Sequence, residues 1–190
     1  MSKISLIFYW VFFAVLNLKA SEYEITVLAT NTANFGGIGE WSFSALLESD
    51  DEKILFDTGF NENTVLHNAN LLGKDLSQVE KVILSHFHGD HTGGLIKLRK
   101  TFKEINPKAF STVYVADGFF EQRYDENGEL RGFIGGFNDV DNFLKETDDL
   151  GIRFVILKEP IEISKNLYLS GPVERIHERV VVSPGFYLKK

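Results

Sequence analysis

Val82-Ile83-Leu84-Ser85-His86-Phe87-His88-Gly89-Asp90-His91-Thr92-Gly93-Gly94 joins an apolar run to a glycine-rich bend and carries three of the chain's five histidines within six positions. At this chain's own residue frequencies the pattern His-x-His-x-Asp-His arises by chance in roughly 2 of ten thousand such chains, so it reads as chemistry rather than as three exposed loop histidines. In an extended segment His86 and His88 leave the same side of the backbone and can converge on one ion. Asp90 and His91 then project differently, toward a second ion or a metal-bound water. Imidazole and carboxylate donors without sulfur suit Zn²⁺, or Fe or Mn, in a site that keeps a coordination position open. Gly89, Gly93 and Gly94 are read as supplying the backbone freedom for a loop wrapped around an ion.

Outward from this loop the chain alternates strands and helices. Tyr23 to Thr30 is rich in β-branched and apolar residues and predicts a strand leading into a glycine-containing loop. Trp41 to Glu48, a break at Ser49-Asp50-Asp51, and Lys53 to Phe56 predict a hairpin. Val65, Leu66, Ala69 and Leu72 recur at helical spacing between Asn61 and Leu72, with Gly73 as the stop. Val79 to Leu84 follows as a strand, Gly94 to Phe102 as a helix, and Thr112 to Ala116 as a strand. Asp139 to Leu150 reads as an amphipathic helix stopped at Gly151, and Arg153 to Leu157 as a further strand. Gln122 to Gly136, with four glycines among charges, is predicted to be a long surface loop. Strands interleaved with helices of this length indicate a layered α/β or α+β fold without an internal domain boundary.

Composition removes several function classes. The chain has 190 residues, 27 acidic against 20 basic, a formal net charge of -7 and no cysteine. Disulfide scaffolds, thiol catalysis and cysteine-containing zinc modules are excluded. Basic residues form no stripe, so nucleic acid is not an expected partner; Lys97, Arg99, Lys100 and Lys103 read as the solvated side of one helix. Lys3, the apolar run Ile4 to Leu16 and Ala20 follow the order of an export signal. Its thirteen residues fall short of the roughly 20 needed to cross a bilayer, so residues 1–20 are expected to be a cleaved signal peptide rather than an anchor. The expectation is a secreted or periplasmic protein with no stable membrane span after cleavage, its domain occupying 21–190.

His86-x-His88-x-Asp90-His91 followed by Thr92-Gly93-Gly94, with Leu55-Phe56-Asp57-Thr58-Gly59 upstream, resembles the metallo-β-lactamase superfamily of metal-dependent hydrolases. Gly39-Glu40-Trp41-Ser42-Phe43-Ser44, Asn68-Ala69 and Ser170-Gly171-Pro172-Val173-Glu174-Arg175 are similar to its dihydropterin-ribofuranosyl-aminobenzene phosphate synthase-like subgroup. The resemblance implies an αβ/βα sandwich acting on a small-molecule substrate. It places His86 and His88 on a first metal and Asp90 and His91 on a second, with a bridging hydroxide as nucleophile and Asp90 orienting it and moving a proton. It gives Asp57 the role of bracing the metal loop, and Glu40 and His177 are taken as further candidates for the pocket. Members of the family continue into a second half that supplies further ligands. The chain is therefore expected to be truncated, lacking much of the second half of the sandwich, with an incomplete site that the absent ligands would leave inactive. Two rival readings follow: a non-enzymatic exported binding module on a degenerate hydrolase fold, and an aspartic protease built on Asp57-Thr58-Gly59 with Phe133-Ile134-Gly135. That tripeptide arises by chance in roughly 4 chains per hundred, which makes the protease the weaker of the two.

Overall fold

Three alternating apolar runs pair in sequence order. β1 (Glu24–Ala29), β2 (Ser44–Glu48) and β3 (Lys53–Phe56) form an antiparallel meander, with Ile25 opposite Leu47 and Leu47 opposite Ile54. The predicted hairpin is the β2–β3 pair. Beyond β3 the chain switches to parallel pairing: β4 (Val79–Ile83), β5 (Thr112–Ala116) and β8 (Arg153–Leu157) complete a six-stranded sheet in the order β1-β2-β3-β4-β5-β8. The computed structural model describes residues 23–131, 139–173 and 187–188. The export signal read over 1–20, His177 and Phe133-Ile134-Gly135 lie outside these residues, and no helix of the described residues is long and apolar enough to cross a membrane.

Each parallel step is bridged by a helix, as parallel strands require. α1 (Thr64–Leu71) links β3 to β4, α3 (Leu95–Phe102) links β4 to β5, and α4 (Val140–Asp149) lies between β5 and β8. Their apolar stripes share one face of the sheet: Val65 and Ala69, Leu95 and Leu98, and Val140 and Phe143 join Leu46, Leu55, Val82, Val113 and Val115 in one buried cluster. α4 starts where Asp139 accepts a hydrogen bond from the Asn142 N–H, and Gly73 and Gly151 take left-handed φ values of 67° and 71° beyond the ends of α1 and α4.

The opposite face of the sheet is covered by a hairpin that sequence patterning did not single out, β9 (Ile161–Ser164) with β10 (Leu167–Leu169), turned at Asn166 with φ 63°. Ile163, Leu167 and Leu169 pack there against Ile54, Ile83, Phe56 and Tyr114. The covering is partial: Ile25 and Val27 of β1 remain exposed.

Two further corrections concern the outer segments. Part of the region read as one long loop pairs as short strands, β6 (Arg123–Tyr124) with β7 (Leu130–Arg131), and the backbone of β11 (Tyr187–Leu188) pairs with β6. Arg99, assigned to a solvated helix face, is 6% exposed. Its Nε donates to the Leu150 carbonyl at 3.0 Å, and Nη1 donates to the carbonyls of Pro107, at 2.8 Å, and Ala109. The fork of Arg99 thus ties the end of α4 to the turn before β5. A lysine keeps the charge but cannot span these carbonyls, so Arg99→Lys is expected to cost about 2 kcal/mol or more in chemical denaturation. An unchanged midpoint would return Arg99 to the solvated face.

Candidate metal centre

β3 and β4 are parallel neighbours, so the loops that leave their C-terminal ends emerge side by side, the usual position for function in open α/β sheets. Asp57 follows β3 directly and Ser85 lies just beyond β4. The Asp57 N–H extends the ladder to the Ile83 carbonyl at 2.8 Å. Asp57 then turns in the left-handed region, φ 54°, which places its 1%-exposed carboxylate beneath the second loop. Three donors meet it there: the Ser85 N–H on Oδ1, and the Ser85 hydroxyl and His91 Nδ1–H on Oδ2, each at 2.7 Å. Burial pushes the Asp57 carboxyl up, opposed by these three hydrogen bonds.

This network sets the histidine tautomers. The Ser85 hydroxyl gives its one proton to Asp57, so its contact with His86 Nδ1 at 3.0 Å has the imidazole donating. His86 and His91 therefore both carry the proton on Nδ1 and leave the Nε2 lone pair free. Burial first, then the neighbouring His91 and His88, push the His86 imidazole down to about 4, so it is neutral at neutral pH. His88, in extended conformation with ψ 149°, caps α2 (Gly89–Thr92), a single helical turn. That turn folds Asp90 and His91 back, leaving Asp90 Oδ2 3.6 Å from His91 Nε2. Donor atoms of His86, Asp90 and His91 all lie within 4.8 Å of one another. His88 does not belong to that group; it is exposed, and its ring sits edge-on to His86 with centroids 4.6 Å apart.

The glycines act differently from the expectation. Gly93 and Gly94 have ordinary helical φ values of -61° and -82°, which any residue adopts. A Cβ on Gly93 would fall inside the Phe60 carbonyl oxygen, and one on Gly94 inside that of Thr58. They are required because two loop backbones touch. The contact is reinforced by Thr58, whose N–H and hydroxyl donate to the His91 carbonyl at 2.7 and 3.0 Å.

Glu40 binds protein groups on both oxygens. Oε1 accepts from the Ser42 hydroxyl and the Phe60 N–H, Oε2 from the Asn61 N–H and the Thr64 hydroxyl, at 2.7 to 3.1 Å. These donors fasten the loop after β3 to the segment before β2. Ser85, which touches Asp57, His86 and His91, is the organising residue that motif reading passed over, because a serine ending a strand carries no spacing signal. Phe87, Phe119 and Phe120 pack on the main core, and the Asp57 carboxylate faces His91 and Ser85 rather than a second aspartate.

Comparison with known proteins identifies the family and the fold. A model of the metallo-β-lactamase superfamily matches residues 42–162. The 7,8-dihydropterin-6-methyl-4-(β-D-ribofuranosyl)-aminobenzene-5'-phosphate synthase of Methanocaldococcus jannaschii is 30% identical over 164 residues, covering 82% of this chain and 52% of that protein. An uncharacterized protein of the same organism, MJ0448, is 32% identical over 154 residues, covering 81% and 55%. The crystal structure of Tm1679, a metal-dependent hydrolase of the β-lactamase superfamily, superposes with a TM-score of 0.62 at 27% identity, covering 89% of this chain and 55% of that one. The chain thus spans about half the length of the curated relatives it matches.

Burial alone would raise the Glu40 carboxyl, but hydrogen bonds from Ser42, Phe60, Thr64 and Asn61 outweigh it and hold the group below its ordinary value. Its contribution to stability is therefore present above the ordinary carboxylate range and lost as pH falls through the lowered value. Glu40→Gln is expected to lower Tm at pH 7 by about 2–4 °C for each kcal/mol of hydrogen bonding lost. Melting curves across pH check the sign: the gap between variant and parent closes in acid, and an equal gap at both ends would show that the charge is not what matters.

Proposed function

The chain belongs to the metallo-β-lactamase superfamily, and from that premise we propose that it is a metal-dependent hydrolase centred on His86, Asp90 and His91, with His88 beside them. The observation that carries the proposal is the convergence of two imidazoles and one carboxylate within 4.8 Å, with both imidazole tautomers set by Asp57 and Ser85. The donor set fits a cation: it holds no sulfur, the His86 imidazole is neutral, and its members are half-exposed, so an open position faces solvent. When bound, zinc supplies Lewis acidity and a water acidified to near neutrality.

The chain's own groups do the rest. Asp57 holds the Nδ1 proton of His91 and keeps its ring oriented, and Ser85 does the same for His86. Asp90 orients the attacking water by accepting its proton, a task suited to a carboxylate that is partly solvated. The reaction class leans on the donor set and on the structural neighbour named a metal-dependent hydrolase. The curated relative named a synthase shares the family, so the common element is the metal centre rather than one bond type. The proposal includes a small-molecule substrate, and export directed by the leader pattern of residues 1–20.

The test measures zinc content by elemental analysis, with hydrolysis of bis(p-nitrophenyl) phosphate before and after a chelator. Chelation is expected to remove zinc and turnover together, and the His86→Ala, His91→Ala double variant to bind none. Asp57→Asn, which keeps the shape but loses the charge under His91, is expected to weaken zinc by about 10–100-fold. A double variant that retains zinc and turnover would end the proposal.

A further inference from the structure

We propose, resting on the metal-centre reading above, that Arg123 is the anion-recognising residue of this site, selecting substrates that carry a phosphoryl or carboxylate group beside the bond to be cleaved. The topology brings it there. β5 is the next parallel neighbour of β4, so the loop after β5 leaves the same edge of the sheet as the metal loop. That loop turns at Gly118, φ 79°, and returns as β6, which begins with Arg123. The guanidinium carbon lies 3.9 Å above the Phe87 ring centroid. Phe87 is the residue between His86 and His88, and the rings continue inward: Phe87 to His88 4.6 Å, His88 to His86 4.6 Å, His86 to His91 4.0 Å. The cation therefore stands at the outer end of a row of rings whose inner end holds the converging donors.

Among the described residues its partners leave part of the guanidinium unused. Nη2 donates to the Gly118 carbonyl at 3.3 Å and Nη1 to that of Glu121. Of the five N–H donors of a guanidinium, these contacts use two. No carboxylate of the described residues lies within ion-pair distance, although Glu121 is near enough to raise its pKa against the larger lowering by burial. Several other cations of the fold are already engaged. Lys53, Lys74, Lys81 and Lys100 pair with glutamates, Arg131 pairs with Asp125, and Arg99 is held by carbonyls in the core. Arg123 is instead held half-buried by a ring and two carbonyls, an arrangement that costs desolvation without an ionic partner to offset it. A planar fork with free donors matches a phosphoryl or carboxylate group bidentately. On a chain of net charge -7, an anionic substrate needs such a local cation to overcome the general repulsion.

The test titrates phenylphosphonate, with benzyl alcohol as its neutral counterpart, into the full chain in metal-free and zinc-loaded forms. Arginine Nε–Hε resonances report contact, calorimetry reports affinity, and zinc content is measured in parallel. Phenylphosphonate is expected to move the Arg123 resonance in both forms, and benzyl alcohol in neither. Arg123→Gln is expected to weaken phenylphosphonate by about tenfold or more with zinc content unchanged, and Arg123→Lys to recover part of the loss. The assignment is overturned if phenylphosphonate fails to bind, leaves that resonance in place, or binds the Gln variant as well as the parent. It is equally overturned if Arg123→Gln loses zinc along with the phosphonate, because Arg123 would then only brace Phe87. Turnover of bis(p-nitrophenyl) phosphate is scored separately. Its absence in a chain that binds phenylphosphonate through Arg123 counts against phosphodiester hydrolysis and leaves the assignment of Arg123 as the anion-recognising residue standing.

Discussion

One buried carboxylate holds the two halves of the centre together. Asp57 lies at the end of β3 and receives hydrogen bonds from Ser85 and His91, which belong to the loop after β4. Both loops leave adjacent parallel strands at the same edge, so a single side chain in the left-handed region can reach across. Without those donors a carboxylate this deeply buried would be expensive to keep. With them it sets the protonation of two imidazoles, the property that makes the histidines competent ligands.

The remaining contacts around the centre serve the same closeness. Gly93 and Gly94 let the backbones of 58–60 and 93–94 meet, Thr58 caps the His91 carbonyl, and Glu40 gathers the donors of residues 60, 61 and 64. Asn68 repeats the device on the far side of that loop: its side chain donates to the carbonyls of Leu28 and Ile38 and accepts from the Ile38 N–H. Polar side chains from distant parts of the chain thus replace the backbone ladders that loops lack. Fold stability and site geometry rest on the same bonds, so changes at Asp57 or the paired glycines act on both.

Legibility differed by element for physical reasons. β2, β3 and α4 were plain because their apolar periods and turn residues are local properties. The β9–β10 hairpin was not, because its apolar residues Ile163, Leu167 and Leu169 acquire meaning only against the sheet face they cover. Arg99 was misjudged for a similar reason: its helix has lysines on either side, and nothing local shows that three carbonyls from the Pro107–Ala109 and Leu150 regions converge on it. Within the metal motif the backbone bends over residues 85–87 where an extended run was expected, and the single turn α2 that follows decides which donors meet.

By itself the sequence determined the layered α/β class, the metal-type donors in one six-residue run, and the family to which that run points, because each is written in residue type and short spacing. The tertiary structure alone decided that His86 groups with Asp90 and His91, that Ser85 and Asp57 set their tautomers, that the glycines are needed for contact rather than for φ, and that Arg123 comes to rest on Phe87. The first is made by the single turn α2 within one loop; the others join groups on different loops, and parallel strand order, not spacing along the chain, brings those loops to one edge.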